Sequence, residues 1–497
     1  MTHHMDLEEA RERARKGPRY LMLGRVAMLV ISLVSTVTVA RLVSPHDFGL
    51  AAMALIVLVF AQTFRDMGVT QAALRKGHIT SSELSLIFWL TMTSTSLLTV
   101  VVMASSPWVA AFFDEPIVTQ LLLLASVGFF ISGITLQHRV LLERELRFAA
   151  VAATDIIAGA LAFATTLSLA LIRGDAWAIV AGSVVQAVTA GTLVVVLSRW
   201  RPGRPRKDPH MWELVRFGAN ATVYSTSVLF SNQAASLIIG GTMGAAPLGQ
   251  YNRAQTLYAM PTSNLVQPFA RATMPLLLRL RTDPPQYRLT YMALVRRLCI
   301  FLVPLSVFLC FASPPLTRVL LGPGWETAGL ALLALSPSLA LMGLAFAVND
   351  VLITQNRAGT LRNLGLIEAV IRIGAVAIGA QFGVVETALA FTLGSAFVTL
   401  VRVVAAGRVP PVSALDQLRA TVPGILTGFG AAVGGLAALL AGVATLHSGT
   451  QVLVLGAVTV AGALAAGLCW SQSRIALADL ADTIGLAGLA RMVRRRR

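Results

Sequence analysis

The sequence predicts an all-α integral membrane protein with about 14 transmembrane helices, arranged as two pseudo-symmetric six-helix bundles plus two extra C-terminal spans. Three observations predict this fold class. The first is composition: of 497 residues, 56% are hydrophobic and 13% charged, and the mean hydropathy of +0.74 lies outside the soluble range. The second is that apolar runs of about 20 residues, the length that crosses a ~30 Å hydrocarbon core, recur along the whole chain. The third is an internal repeat whose two copies stand 200 residues apart.

Taken in order, the elements begin with a polar, basic leader at 1–19, MTHHMDLEEARERARKGPR, expected as a cytoplasmic helix on the inner membrane surface. His3 and His4 read there as solvated residues rather than ligands. No cleavable signal follows, so the first apolar run acts as a signal anchor. Six spans at roughly 20–43, 48–73, 82–105, 117–138, 148–172 and 176–199 form a first lobe, 20–199. RWRPGRPRK then opens a basic cytoplasmic linker at 200–212. Six more spans, at roughly 214–241, 248–274, 292–313, 328–353, 361–381 and 384–407, form a second lobe, 213–408. The linker RVPPVSALDQLR and two last spans, roughly 421–445 and 450–471, occupy 409–472. The tail 473–497 is basic, and its Leu480, Ile484 and Ala487 recur at helical spacing, which suits an amphipathic helix on anionic membrane lipids.

The net charge of +17 invites a nucleic-acid reading, and the placement of the charges removes it. With both termini in the cytoplasm, the outer connections hold Arg41, Arg173 and Arg318 together with six acids: Asp47, Asp114, Glu115, Asp175, Glu326 and Glu386. Nearly all other cations fall inside, the bias expected of a multi-pass protein. Adding or removing one span would invert every later loop and destroy the asymmetry. No nucleic-acid partner is expected. Cys299, Cys310 and Cys469 all fall in spans, so no extracellular disulfide framework is expected either. The seven His are scattered, and no HExxH, CxxC pair, GxSxG or P-loop occurs; neither a metal, a cofactor nor an enzymatic activity is expected.

In the repeat, VSPHDFGLA at 43–51 matches MGAAPLGQY at 243–251, placing Gly49 over Gly249. QTFRDMGVTQAALRK at 62–76 falls on TSNLVQPFARATMPL at 262–276. Six spans per repeat is an even number, so both copies start inside and are parallel. Parallel repeats are a transporter architecture, with the substrate site expected at the repeat interface.

LVSPHDFGLAAMALIVLVFAQTFRDMGVTQAALRKG, GTMGAAPLGQYNRAQTLYAMPTSNLVQPFARATMPLLLRL and LLERELRF together resemble the polysaccharide transporter branch of the multidrug/oligosaccharidyl-lipid/polysaccharide exporter superfamily. The resemblance covers roughly residues 20–408 and is nearest to the fourteen-span oligosaccharide flippases. It implies a V-shaped pair of bundles that flips undecaprenyl-diphosphate-linked repeat units across the bacterial inner membrane by alternating access. Such a protein serves capsule, exopolysaccharide or lipopolysaccharide assembly. The implied partners are the lipid-linked oligosaccharide and the polymerase and glycosyltransferases of the same pathway. A drug or small-molecule cation antiporter of the same fold is the alternative, and a scaffold subunit without transport is a further rival.

Five arginines stand out within spans, Arg25, Arg65, Arg253, Arg271 and Arg372, and each costs several kcal/mol if left facing lipid. Arg25, Arg253 and Arg271 lie near span ends, where snorkelling competes with a lumen role; Arg65 and Arg372 lie deeper. Asn220, Tyr224, Ser227 and Ser231 follow one helical face of the seventh span, and Asn264, Gln267 and Arg271 one face of the eighth, continued by Arg253 and Met260. Arg25, Ser32 and Thr36 make a thinner stripe on the first span. The resemblance implies that spans 1, 2, 7 and 8 line a central cavity, which makes Arg25, Arg65, Arg253, Arg271, Asn220, Tyr224, Asn264 and Gln267 candidate substrate contacts, and the depth of Arg372 on the eleventh span adds it to them. The competing reading of the amides and hydroxyls is ordinary interhelical hydrogen bonding. Arg65 and Asp66 point about 100° apart, so they do not form a face-to-face pair; Arg65 is assigned to the cavity and Asp66 to packing. Leu265 matches Arg65 in the second repeat, so the charge is not duplicated. Glu368 and Arg372, spaced i, i+4, read as a structural ion pair or as a coupling site. Glu368, Asp155 and Asp350 are the coupling candidates. A cationic lumen suits an anionic substrate; a cation antiporter would place acids there.

Overall fold

The computed structural model describes residues 7–66, 81–203, 226, 229–263, 267–469 and 473–474, with side chains at 7–21, 66, 81–82, 267–272 and 358 outside the description. The described residues are helical and short-looped, and 11 helices among them are long and apolar enough to cross a membrane. Three expected spans are absent from that set. The seventh falls largely outside the described residues. The eighth is α-helical from Ala245 to Pro261 and π-helical at 262–263, with residues 264–266 outside the described part of the chain. The eleventh is a full-length helix, Ala358–Gly379, that carries Arg362, Glu368 and Arg372.

The chain divides into two compact units, Met1–Gln233 with Gly240–Gly249, and Ala234–Ile239 with Gln250–Arg497. The first is built from α1 (Leu7–Ala40), α2 (Pro45–Asp66), α3 (Ser81–Phe113), α4 (Ile117–Arg144), α5 (Phe148–Ile172) and α6 (Ala176–Ser198). Residues 229–243 form α7, and α8 (Ala245–Pro261) begins in this unit and continues into the other. In the first unit α1 packs on α5, α5 and α4 on α6, and α3 on α4, with α2 resting on α3, α4 and α6. Small residues set these approaches: Gly133 of α4 backs onto Thr95 of α3, and Gly182 of α6 onto Thr166 of α5. Without a hydrophobic force between helices in lipid, such close backbone packing is a main source of association.

Both ends of this bundle are tied. At the acidic end, the Asp47 carboxylate accepts from the Ala176 backbone N–H at 3.2 Å, joining α2 to α6, and His46 meets Glu115 at 3.2 Å. At the other end, Trp89 Nε1 donates to the Gly203 carbonyl at 2.9 Å and the Gly203 N–H donates to Ser85 Oγ at 2.9 Å. Trp200 and His138 pack edge-on with Phe88, which seals the segment after α6 against α3 and α4.

The second unit holds most of α8, then α9 (Gln267–Arg279), α10 (Pro284–Leu321), α11 (Glu326–Thr354), α12 (Ala358–Gly379), α13 (Val384–Gly407), α14 (Ala414–Leu440) and α15 (Ser448–Cys469). α10 is its centre, packing on α11, α14 and α15; α13 packs on α11 and α12. At 38 residues α10 far exceeds the expected 292–313. Asp283 caps its start by accepting from the Gln286 N–H, and a proline occupies its first turn, where no N–H is needed. α14 has two glycine faces. Gly424, Gly428 and Gly435 admit Cys299, Val303 and Phe311 of α10, while Gly430 and Gly434 admit Gly462 and Val458 of α15. The last two spans are thereby packed into the second unit rather than left beside it.

Candidate functional site

The most charged buried locus in the second unit surrounds Glu368, which is 7% exposed on α12. One carboxylate oxygen meets Arg372 Nη1 at 2.9 Å, one turn along the same helix. The other accepts from Arg402 of α13, whose second nitrogen donates to the Ala345 carbonyl of α11 at 3.5 Å. The Arg372 guanidinium also stands over the Phe391 ring of α13, 5.0 Å from its centroid, a cation–π contact that partly replaces lost hydration. α12 supplies the pair because i and i+4 share a face; α13 supplies the third member because it packs along that face. Isolated buried charges are costly, and the Arg–Glu–Arg bridge offsets that cost by giving Glu368 two guanidinium partners, either of which can satisfy it.

Hydroxyls surround this bridge. Tyr251 and Tyr258 of α8 are buried within electrostatic reach of Arg372. Tyr258 accepts from Ser338 Oγ of α11 at 2.7 Å, and its own hydroxyl faces Met342 sulfur at 3.8 Å. Arg253, near the start of the same helix, is half-buried. Lower on α11, Asp350 is 7% exposed, and its Oδ2 has no hydrogen-bond partner. Tyr287 and Tyr291 of α10 are the titratable groups close to it.

In the first unit Arg65, 9% exposed at the end of α2, donates to Ser132 Oγ of α4 at 2.9 Å. Its guanidinium lies 5.2 Å from the Phe129 ring centroid. Asp155 of α5 is gripped by Arg139 of α4 through two bonds of 2.6 and 2.9 Å, and the same guanidinium reaches Glu143 at 3.2 Å. Arg25 is exposed on α1.

The structure therefore brings Glu368 and Arg372 together, sets Arg65 against α4, and places Asp155 in an ion pair. Asn220, Tyr224 and Asn264 lie outside the described residues; Gln267 and Arg271 lie on α9, with their side chains outside the description. The stripe from Arg253 through Met260 to Gln267 and Arg271 runs over α8, whose α-helical part ends at Pro261 and is followed by π geometry at 262–263; residues 264–266 and the side chains of Gln267 and Arg271 lie outside the described residues. Two charged residues escape the sequence reading. Arg402 stands so near the end of its span that it resembles an interfacial cation, and Arg139 falls one residue beyond the expected fourth span, in the following loop; an acid in the neighbouring span was the available signal in both cases. Among the described residues no cluster of three or more His, Cys, Asp or Glu could hold a metal ion.

Residues 38–329 match the family model described as polysaccharide biosynthesis protein. Among curated relatives, the lipopolysaccharide biosynthesis protein WzxC of Escherichia coli is 22% identical over 386 residues, 77% of this chain and 78% of its own. The succinoglycan biosynthesis transport protein ExoT of Rhizobium meliloti is 24% identical over 385 residues, covering 76% and 77% of the two chains. Among solved structures, the lipid II flippase MurJ in an inward closed conformation superimposes with a TM-score of 0.69 at 13% identity, over 88% of this chain and 97% of that one. An inward-facing multidrug resistance MATE family transporter gives 0.61 at 10% identity, over 79% and 94%. These likenesses at low identity establish the fold.

Proposed function

Because the chain belongs to the polysaccharide biosynthesis protein family, we propose that it is a transporter that flips undecaprenyl-diphosphate-linked oligosaccharide repeat units across the bacterial inner membrane. It works by alternating access and serves capsule, exopolysaccharide or lipopolysaccharide assembly. Relatives named for lipopolysaccharide and succinoglycan biosynthesis support this reading. The polymerase and glycosyltransferases of the same pathway are its proposed neighbours. Its lobes are 20–199 and 213–408, joined by the basic linker 200–212 and followed by two extra spans. Both termini face the cytoplasm in this reading, because Asp47, Asp114, Glu115, Asp175, Glu326 and Glu386 all fall in connections that it places outside.

The observation that carries the ligand's sign is the bridge at Glu368. One carboxylate holds two guanidinium groups. Arg372 can therefore turn to a phosphate oxygen while Arg402 remains to satisfy Glu368, and no buried acid is stranded. A diphosphate accepts a guanidinium through two parallel hydrogen bonds. Arg65 is the proposed phosphate contact of the first lobe, with Arg25, Arg253, Arg271, Asn220, Tyr224, Asn264 and Gln267 as further substrate contacts. Glu368, Asp155 and Asp350 remain the coupling candidates, expected to modulate rather than enable the cycle.

The likeness to MATE transporters keeps a cation antiporter as second reading; an arginine-rich interior speaks against it. The test is export of surface polysaccharide in cells that depend on this protein. Arg65→Ala and Arg372→Ala should each abolish export at near-normal membrane levels, and Lys at either position should restore part of it, because an ammonium keeps the charge and loses the fork. Normal export by both Ala variants would refute the cationic site.

A further inference from the structure

α12 and α13 line a cleft of about 450 Å³ near their basic end. Leu364, Ile367, Phe397 and Val404 form its apolar walls. Thr360, Asn363 and Arg408 form its mouth. Arg362 borders that mouth, donating to the Asn363 side-chain oxygen at 3.3 and 3.4 Å. From Thr360 to Ile367 the helical rise is roughly 10 Å, so polar mouth and apolar floor lie about as far apart as a lipid phosphate and its upper acyl chain.

The charges at this mouth differ from those of Arg139 and Arg147 in the first unit, which stand beside acids. There, Arg139 is paired with Asp155 and Glu143, and Arg147 is paired with Glu145 and donates to the Leu197 carbonyl. Here Arg362 and Arg408 are exposed, and among the described residues neither has a carboxylate partner. The one acid near the far end of the same helix pair is Glu386. A mouth with two uncompensated guanidiniums over an apolar slot is complementary to a molecule with an anionic head and a hydrocarbon chain. Thr360 and Asn363, in the first two turns of α12, add donors at the end where the helix dipole also favours an anion.

We propose that this cleft binds one anionic phospholipid, its phosphate on Arg362 and Arg408 and one acyl chain between Ile367 and Phe397. The proposed topology puts the site in the inner leaflet; only that placement rests on the functional reading. The lipid would join α12 to α13 on the membrane side, next to the helix turn where Glu368 and Arg402 join them inside.

The test uses the full chain in phosphatidylcholine nanodiscs containing a small fraction of phosphatidylglycerol with a photoactivatable acyl chain. Adducts should map to the Leu364–Ile367 and Phe397–Val404 stretches, and a phosphatidylcholine probe of the same chain should label them far less. Each of Arg362→Ala and Arg408→Ala should lower labelling about fivefold, the factor expected for one basic residue at a membrane surface. Ile367→Trp, which fills the slot, should abolish it while the unfolding temperature confirms a folded protein. Equal labelling by both lipids, or unchanged labelling in the double Arg variant, would overturn the site. Complete displacement by millimolar inorganic phosphate would reduce it to an anion site and also overturn it. None of these readouts requires transport, so failure of the flippase reading would register separately.

Discussion

Gly49 and Gly249, the glycines that the internal repeat superimposes, lie against each other where α2 and α8 begin. A Cβ on Gly49 would stand 1.8 Å from the Ala245 carbonyl oxygen, and one on Gly249 would stand 1.8 Å from that of Pro45 and 3.0 Å from the Gly49 nitrogen. Backbone cannot yield as a flexible side chain can, so Gly49→Ala or Gly249→Ala must push the two helix starts apart. Overpacking of this kind costs about 1–3 kcal/mol. Both variants should unfold at lower temperature in detergent and export poorly. Gly374→Ala, a helical position with open space around it, is the control and should be neutral or slightly stabilising. If all three behave alike, the crossing carries no constraint.

The bridge at Glu368 predicts an asymmetric response. Glu368→Gln keeps the shape and leaves Arg372 and Arg402 facing an amide that cannot neutralise them. Removing one partner from a buried ion pair costs roughly 3–5 kcal/mol, so membrane yield and thermal stability should fall sharply. Arg402→Ala leaves Glu368 paired with Arg372 and should destabilise less. It should nevertheless depress export strongly, because Arg372 could then leave only by stranding the acid. Export at wild-type rate by Arg402→Ala would show that Arg372 does not exchange partners.

The sign of the cargo predicts the driving force. A diphosphate with about two negative charges leaves a negative cytoplasm, and each charge crossing 100 mV is worth about 2.3 kcal/mol. Outward flipping therefore gains roughly 3–5 kcal/mol after partial neutralisation by arginines. In reconstituted vesicles holding a labelled lipid-linked oligosaccharide, a potassium-diffusion potential should support transport where a pH gradient of equal size does not. Transport that follows the pH gradient alone and disappears in Asp350→Asn or Glu368→Gln would make one of those acids a proton carrier instead.

Residues 475–497, outside the described part of the chain, carry the apolar period Leu480, Ile484, Ala487 and the terminal RRRR. Deleting 474–497 should weaken association of a fluorescent tail fusion with anionic vesicles, by about 1 kcal/mol per basic residue lost, and lower export only modestly. Complete loss of export at normal expression would assign the tail a second role.

The membrane class, the span positions at most of the chain and the segregation of charge were determined by the sequence itself. They follow from hydropathy and charge along the chain, which are local properties that no packing decision changes. The i, i+4 pairing of Glu368 with Arg372 was legible for the same reason, since helical spacing alone puts the two residues on one face. The repeat likewise announced Gly49 and Gly249 as matched, though not that they touch. Only the tertiary structure decided that Arg402 completes the bridge from α13, that Arg139 of α4 grips Asp155 of α5, and that α14 fits its glycines into α10. Those contacts depend on which faces of which helices are apposed, and a one-dimensional period does not specify a neighbour. The change from α to π geometry after Pro261 is the converse case. A proline removes one N–H wherever it stands, but whether the helix kinks, turns or stops there is settled by what surrounds it.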